Sequence, residues 1–580
     1  MTDLGTLFQN FRSARQISLR QAGQGLAAAT ISRFERGIVD IKAPYAFALM
    51  TNIGLDATEL DFLRGETFPD PYPAFIRGDF KQLHDDAEAY LAQHPHNSLT
   101  DLIEASLPFL IQPAKPTPAL EQQLADLLAY PLLWSQVEAT ILIAVLPYAS
   151  VNFCQLIWRR IGSFAVAHPN WEQLTVATSA LTLLQHEPLQ KTIHADLVAL
   201  LEKNRRATRN LSTKPLLTAG TILGTSATLD SQLDALEALH ADSLVDYLKR
   251  VSNAVSHPVP AWHNDALKDH YQPKLEIHTD QSMMTGPVLR LLRKQRGLTL
   301  EQVATDWNVS TQSRFEAGKI DLSFTKLLTL LDTLMLPLSR AVVGLDRISS
   351  FEHLQRQFAD MGEDITHHTK ADFLTLRDRF KANHSDMPSG LLDMQLYAVE
   401  TSIARFAPTL YEGSEDAPEL STQRQDAIIN YVNSLPALSH LDALLLVRIL
   451  PGVDSKHISA MTQAILSKCQ VLTPAESVLY QRMMTLACGP LYFQKGDLLR
   501  NVANFFTYHS RFDADWRIQR HCYHVKLLAN VFERPDDQTT QRAHQFLEAF
   551  KTVIHFPNLP FMPDRWMQFA IDRDYDKLEH

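Results

Sequence analysis

Two arginines, Arg33 and Arg314, stand in nearly the same setting, Ser32-Arg33-Phe34-Glu35-Arg36-Gly37 and Ser313-Arg314-Phe315-Glu316-Ala317-Gly318. A guanidinium beside a serine hydroxyl on a short helix can take the O6/N7 edge of guanine or a phosphate oxygen, the chemistry of reading a nucleic acid. The two strings lie 313 − 32 = 281 residues apart in a chain of 580. The offset holds without a gap for Arg12 and Arg293, Arg15 and Arg296, Leu19 and Leu300, Gln21 and Gln302, Asp40 and Asp321, and Leu55 and Leu336. A block of this size written twice governs any reading of the fold.

Short helices must position these arginines. Leu4, Leu7, Phe8 and Phe11 recur at helical spacing, with Arg12 and Arg15 at the C-terminal end, where cations complement the helix dipole. Ser18 is placed to cap a second helix to about Gln24, a third covers about Ala28 to Arg36 before Gly37, and two more run over 43–53 and 58–63. The second copy repeats the plan over 288–296, 299–306, 310–317 and 323–334. There Thr299 and Gln302 resemble a capping box, and Ser310 is expected to be a better N-cap than the alanine it replaces.

Two helices joined by a turn, the second opening with small residues, describe a helix-turn-helix whose second helix enters the major groove. The expected DNA-facing set is Ala28, Ala29, Thr30, Ser32 and Arg33, with Val309, Ser310, Thr311, Ser313 and Arg314 as equivalents; Arg12, Arg15, Arg36, Arg293 and Arg296 are assigned to it as well. Phe34 and Phe315 belong to the core, and Glu35 and Glu316 are expected to pair with Arg12 and Arg293. Gln312 replaces Ile31 at a core-facing position, where an unpaired amide would cost about 1–3 kcal/mol.

Beyond each head the chain reads as amphipathic helices with short polar or Pro-containing turns, among them 99–110, 121–128, 135–146, 152–166, 391–406, 423–432, 441–450 and 457–467. No stretch alternates with period two, so the fold class is all-α. A second echo, Val137-Glu138-Ala139 with Leu441-Asp442-Ala443, runs at an offset of 304 to Pro147 and Pro451. The whole unit is therefore read as duplicated. Four domains follow: a head over 1–65, a helical array over 66–280, a head over 281–346 and an array over 347–580, with 272–285 as hinge. Stacked helix pairs make a superhelix with a concave binding face.

A net charge of −11 and a pI near 6.1 argue against coating nucleic acid non-specifically. Residues 1–64 nevertheless carry seven Arg/Lys against six Asp/Glu, and 285–345 eight against five, so the heads are the basic part. Cys154, Cys469, Cys488 and Cys522 form no CxxC pair, which points to a reducing compartment without zinc. No leader-like start or long apolar run occurs, so the expected location is the cytoplasm and no membrane partner is expected. His257, His263, His270, His278 and the pair His367-His368 lack metal-site spacing, and no phosphate loop or nucleophile motif is present, so no cofactor, metal or catalytic residue is assigned. Arg159-Arg160 and 203–206 read as solvated helix faces rather than ligand contacts.

The block Leu4-Gly5…Phe11-Arg12…Arg15-Gln16-Ile17-Ser18-Leu19…Ile31-Ser32-Arg33-Phe34-Glu35-Arg36-Gly37 resembles the helix-turn-helix of the Rgg/GadR/MutR transcriptional regulators of Gram-positive bacteria, a peptide-pheromone-receptor group. The resemblance implies XRE/lambda-repressor-like heads, TPR-like arrays that bind a short signalling peptide on the concave face, a double-stranded DNA operator as partner, and a cytoplasmic regulator. Members of that family are single units that pair as homodimers, whereas this chain holds two units, which suggests a covalent pseudo-dimer with two heads for half-sites about one helical turn apart. Further association of whole chains stays open. The competing expectation is a helical-repeat interaction scaffold whose heads have become purely structural.

Overall fold

The computed structural model describes residues 4–23, 26–55, 57–64, 74, 77–92, 98–111, 114–128, 136–165, 229–256, 260–270, 286–341, 370–383, 391–397, 421–436, 438, 439, 442, 445, 446, 449, 453, 455–468, 516–533 and 536–552. The expected hinge over 272–285, the basic run over 203–206, the helix over 398–406 and His257, His278, His367 and His368 lie outside them.

The first head holds α1 (Leu4–Ala14), α2 (Leu19–Ala22), α3 (Ala28–Glu35), α4 (Ala43–Ile53) and α5 (Ala57–Arg64). Its array contributes α6 (Phe80–Leu91), α7 (Ser98–Ile111), α8 (Pro118–Leu127), α9 (Gln136–Val145), α10 (Val151–Ala165), α11 (Leu229–Ala238) and α12 (Asp242–Ser256). The second head comprises α13 (Gly286–Gln295), α14 (Leu300–Val303), α15 (Val309–Glu316), α16 (Phe324–Thr333) and α17 (Leu338–Ala341). In the second array come α18 (Lys370–Asn383), α19 (Thr422–Ser434), α20 (Ser455–Lys468), α21 (Trp516–Glu533) and α22 (Asp537–Thr552), and the described residues 442, 445, 446 and 449 are helical too. Among the described residues the architecture is all-α, with an isolated antiparallel β-bridge between Lys42 and Ser323.

Equivalent residues do equivalent work in the two heads. Ser18 and Thr299 close reciprocal capping boxes with Gln21 and Gln302. Arg12 reaches Glu35 through Nε and Nη2 at 2.6 and 2.8 Å, and Arg293 reaches Glu316 at 2.7 and 2.8 Å. Each spare Nη1 donates to a carbonyl, Ile17 or Leu298. Close crossing of the first and third helices needs a glycine, because a Cβ on Gly5 would stand 2.3 Å from the Phe34 carbonyl oxygen and one on Gly286 would stand 1.7 Å from that of Phe315. The backbone keeps its plan even where the residue changes: Gln16 at φ 57° matches Gly297 at 68°, and Gly54 at 72° matches Met335 at 53°.

The heads also pack on each other as equivalents. Lys42 and Ser323, the same position in the two copies, form the antiparallel bridge, with Ala43 N donating to Leu322 O at 3.1 Å and Phe324 N to Ile41 O at 2.7 Å. An antiparallel bridge between equivalent residues is a local two-fold. Around it α4 packs on α16 and α5 on α17. One core runs through both heads. Phe324, fully buried, meets Phe8 and Phe47 edge-on at 6.1 and 5.4 Å between ring centroids. Arg64 pairs with Asp332, and Leu338 N donates to Asp61 Oδ1 at 2.9 Å.

Each head is fastened to the array of the other unit. Arg15, 3% exposed, donates to Asp442 Oδ2 at 2.5 Å, and Arg296, 1% exposed, pairs with Glu138 on α9. Arg15 and Arg296 are equivalent at offset 281, and Glu138 and Asp442 at offset 304. At the far ends of the arrays α11 packs on α22 and α12 on α21, with Ser243 N and Oγ donating to Gln519 Oε1 at 3.1 and 3.0 Å. Arg160 is buried, donating to Ala125 O at 2.5 Å and Asp269 at 2.7 Å, so the expectation of a solvated Arg159-Arg160 pair fails at its second member.

Candidate nucleic-acid interface

The third helix of each head has one face in the core and one in solvent. Ile31, Phe34 and Glu35 are buried on α3, while Ala28, Ala29, Arg33 and Arg36 are exposed and Thr30 and Ser32 half-buried. On α15 the buried set is Gln312, Phe315 and Glu316; Ser310, Ser313, Arg314 and Ala317 are exposed, with Val309 and Thr311 half-buried. Arg36 folds back on its own helix, its Nε donating to Ser32 O at 3.1 Å. The display of Arg33 and Arg314 at matching points rests on the helix phase set by the phenylalanines at 34 and 315.

Four residues of the expected DNA-facing set are turned inward instead. Arg15 and Arg296 are consumed by the buried pairs with Asp442 and Glu138, and Arg12 and Arg293 by the bidentate pairs with Glu35 and Glu316. Burial alone would lower the pKa of Arg15; Asp442 foremost, with Tyr431 and Glu59, holds it above the ordinary value. Held in these pairs and largely withdrawn from solvent, the four guanidiniums are not displayed to a phosphate as Arg33 and Arg314 are.

Gln312 is fully buried yet satisfied: Trp307 Nε1 donates to its Oε1 at 3.1 Å, and its Nε2 donates to Glu316 Oε1 at 3.0 Å. The equivalents in the first head are Leu26 and Ile31, so an apolar pair has been exchanged for a hydrogen-bonded one. The cap of α15 is Asn308, whose side chain accepts from Ser310 N at 2.8 Å, rather than Ser310 itself; Ala27 at the matching position offers no side-chain cap.

Other cations of the heads, outside the expected set, are exposed as well. Arg20 and Lys42 stand out from the first head, and Arg290, Lys294 and Lys319 from the second. Their signal in the sequence is position, within a turn or two of the reading helix or on its neighbours. Among the described residues no group of three His, Cys, Asp or Glu side chains could hold a metal, and no helix is long and apolar enough to cross a membrane. His263 is exposed, and His270 Nδ1 lies 2.9 Å from Asp126 on the surface.

The geometry is that of two equivalent short-helix bundles packed about a local two-fold, with further helices packed around them. No protein-family model matches the chain, and no curated protein matches it in sequence. Among solved structures it is similar over 50% of its length to the Streptococcus dysgalactiae SHP pheromone receptor Rgg2, at 15% identity and a TM-score of 0.37, covering 99% of that receptor. It is similar over 51% of its length to a candidate transcriptional regulator from Listeria monocytogenes EGD-e, at 13% identity and a TM-score of 0.38, again covering 99% of that chain.

Proposed function

We propose that the chain is a DNA-binding transcriptional regulator of the Rgg type, a covalent pseudo-dimer whose two heads read a pseudo-palindromic operator. The observation that carries this reading is the exposure of Arg33 and Arg314 at equivalent points of two heads joined through the Lys42–Ser323 bridge. Two readers related by a two-fold fit an operator with the same symmetry. The four-domain division at 65, 280 and 346 belongs to the proposal, as does a cytoplasmic setting. So does control by a short signalling peptide: a ligand preferring one arrangement of the arrays would shift the heads through the Arg15–Asp442 and Arg296–Glu138 pairs. The scaffold alternative loses one support, since the amide of Gln312 is paired.

Electrophoretic shift of the full chain with duplexes selected from a random library, at two salt concentrations, tests the reading. Sequence-specific binding that is lost in the R33A/R314A double variant supports it. Absence of any shift at low salt overturns it. Light scattering is expected to give the mass of one chain; a stable two-chain particle overturns the simple pseudo-dimer.

A further inference from the structure

We infer that the two heads read unlike half-sites: the first recognises thymine methyl groups through Ala28 and Ala29, and the second hydrogen-bonds base edges through Asn308 and Ser310. This rests on the DNA-reading proposal and goes beyond it by naming the chemistry of each half of the operator.

The shared guanidinium and serine, Arg33 with Ser32 and Arg314 with Ser313, cannot distinguish the halves, so the discrimination lies at the residues that differ. At the opening of α3 stand Ala27, Ala28 and Ala29, all exposed, with no side-chain hydrogen-bonding group among them. Methyl side chains at the start of a groove-entering helix match the C5-methyl of thymine, the one apolar group that a base pair offers in the major groove. At the opening of α15 stand Asn308 and Ser310, both exposed. The Asn308 side-chain oxygen is held by Ser310 N at 2.8 Å, which leaves its amide N–H groups to donate, while the Ser310 hydroxyl can donate or accept. Such groups match N7, O6 and O4 on the base edges.

The residues beyond the reading helices differ in the same sense. Ile38, which donates its backbone N–H to Arg33 O at 2.9 Å, is 55% exposed, and Tyr45 is the other large apolar side chain exposed among the described residues. Their equivalents are Lys319, which donates likewise to Arg314 O at 2.9 Å, and Lys326. An ammonium beside the reading helix holds a phosphate and releases counterions; an isoleucine does neither.

The test uses the full chain and its selected operator with deoxyuridine replacing thymidine in one half at a time, which removes the methyl and nothing else. The expected result is a loss of affinity of about fourfold per contacted methyl in one half, with little effect in the other. A29S, which gives the first head the residue of the second, should reduce that uracil sensitivity, leaving the part that Ala28 carries. K319I should lower the slope of log affinity against log salt by about 0.9, and I38K should raise it by as much. Equal uracil sensitivity in both halves, a selected operator without thymine in either half, or a slope unmoved by K319I overturns the inference while leaving the DNA reading intact. A chain that shifts no duplex at low salt overturns the DNA reading, and this inference with it.

Discussion

Arg15 meets Asp442 across 427 residues of chain, buried at both ends and 2.5 Å apart. The pair is drawn twice, since Arg296 and Glu138 occupy the matching positions. Each head is therefore clasped, just beyond its first helix, by the array that follows the other head.

Removing one partner of such a pair leaves a buried charge uncompensated. R15M should destabilise the chain by about 3–5 kcal/mol, and the double variant R15M/D442L should recover only part of the loss, because Asp442 Oδ2 also accepts from Ser439 N and Oγ at 3.0 and 2.8 Å. Denaturant unfolding, with hydrogen exchange of α1 to localise the effect in a multidomain chain, measures both.

The exchange of Leu26 and Ile31 for Trp307 and Gln312 should behave as a unit. Q312I alone strands the Trp307 indole N–H and should cost about 1–3 kcal/mol. Adding W307L restores the apolar pair of the first head and should bring stability close to the parent. A double-mutant cycle on thermal unfolding gives the coupling, and a coupling near zero would show that the two side chains act independently.

A methyl added at Gly286 would sit 1.7 Å from the Phe315 carbonyl oxygen, which belongs to backbone and cannot swing aside. G286A should force α13 away from α15 and lose about 1–3 kcal/mol. F324A opens the shared core between the heads and should cost about 3–5 kcal/mol. Differential scanning calorimetry reads both, with F324A broadening the transition if the heads then melt separately.

Cys154 is wholly buried beside Glu121, and burial foremost, with that carboxylate, pushes its thiol pKa up. The unfolded thiol ionises near 8.5, while the folded one keeps its proton above that pH. Stability from this group is complete below about pH 8.5 and is lost as pH rises from there toward the folded value. Peptide mass mapping after iodoacetamide treatment at pH 8 should find Cys154 unmodified until denaturant is added.

Much of each head was legible in sequence because its interactions are local or repeat at one offset. Ser18 with Gln21, Thr299 with Gln302 and Arg12 with Glu35 all follow from spacing, and the arrays' helices at 99–110 and 121–128 differ from Ser98–Ile111 and Pro118–Leu127 by a few residues at their ends. Arg15 and Arg296 were not legible as buried. A cation at a helix end reads as solvent-facing unless its carboxylate is known, and those carboxylates lie in the other unit's array. A trace existed, since Glu138 and Asp442 are the acidic residues at one position of the weaker echo. Gln312 reads in sequence as an unpaired core amide, because its partner Trp307, five residues earlier, lies before the helix and shares no helical spacing with it.

Asp40 Oδ2 accepts from Thr325 N at 3.3 Å, across the junction of the heads. The mirrored bond, from residue 44 to Asp321, cannot form, because residue 44 is a proline and has no amide hydrogen. In an assembly of two identical chains every substitution appears on both sides at once, and a change tolerable on one side is vetoed by its effect on the other. One continuous polypeptide lifts that veto. Pro44 against Thr325, like Ile31 against Gln312 in the alignment of the copies, marks positions where the two sides differ, and each head can change on its own without losing its partner.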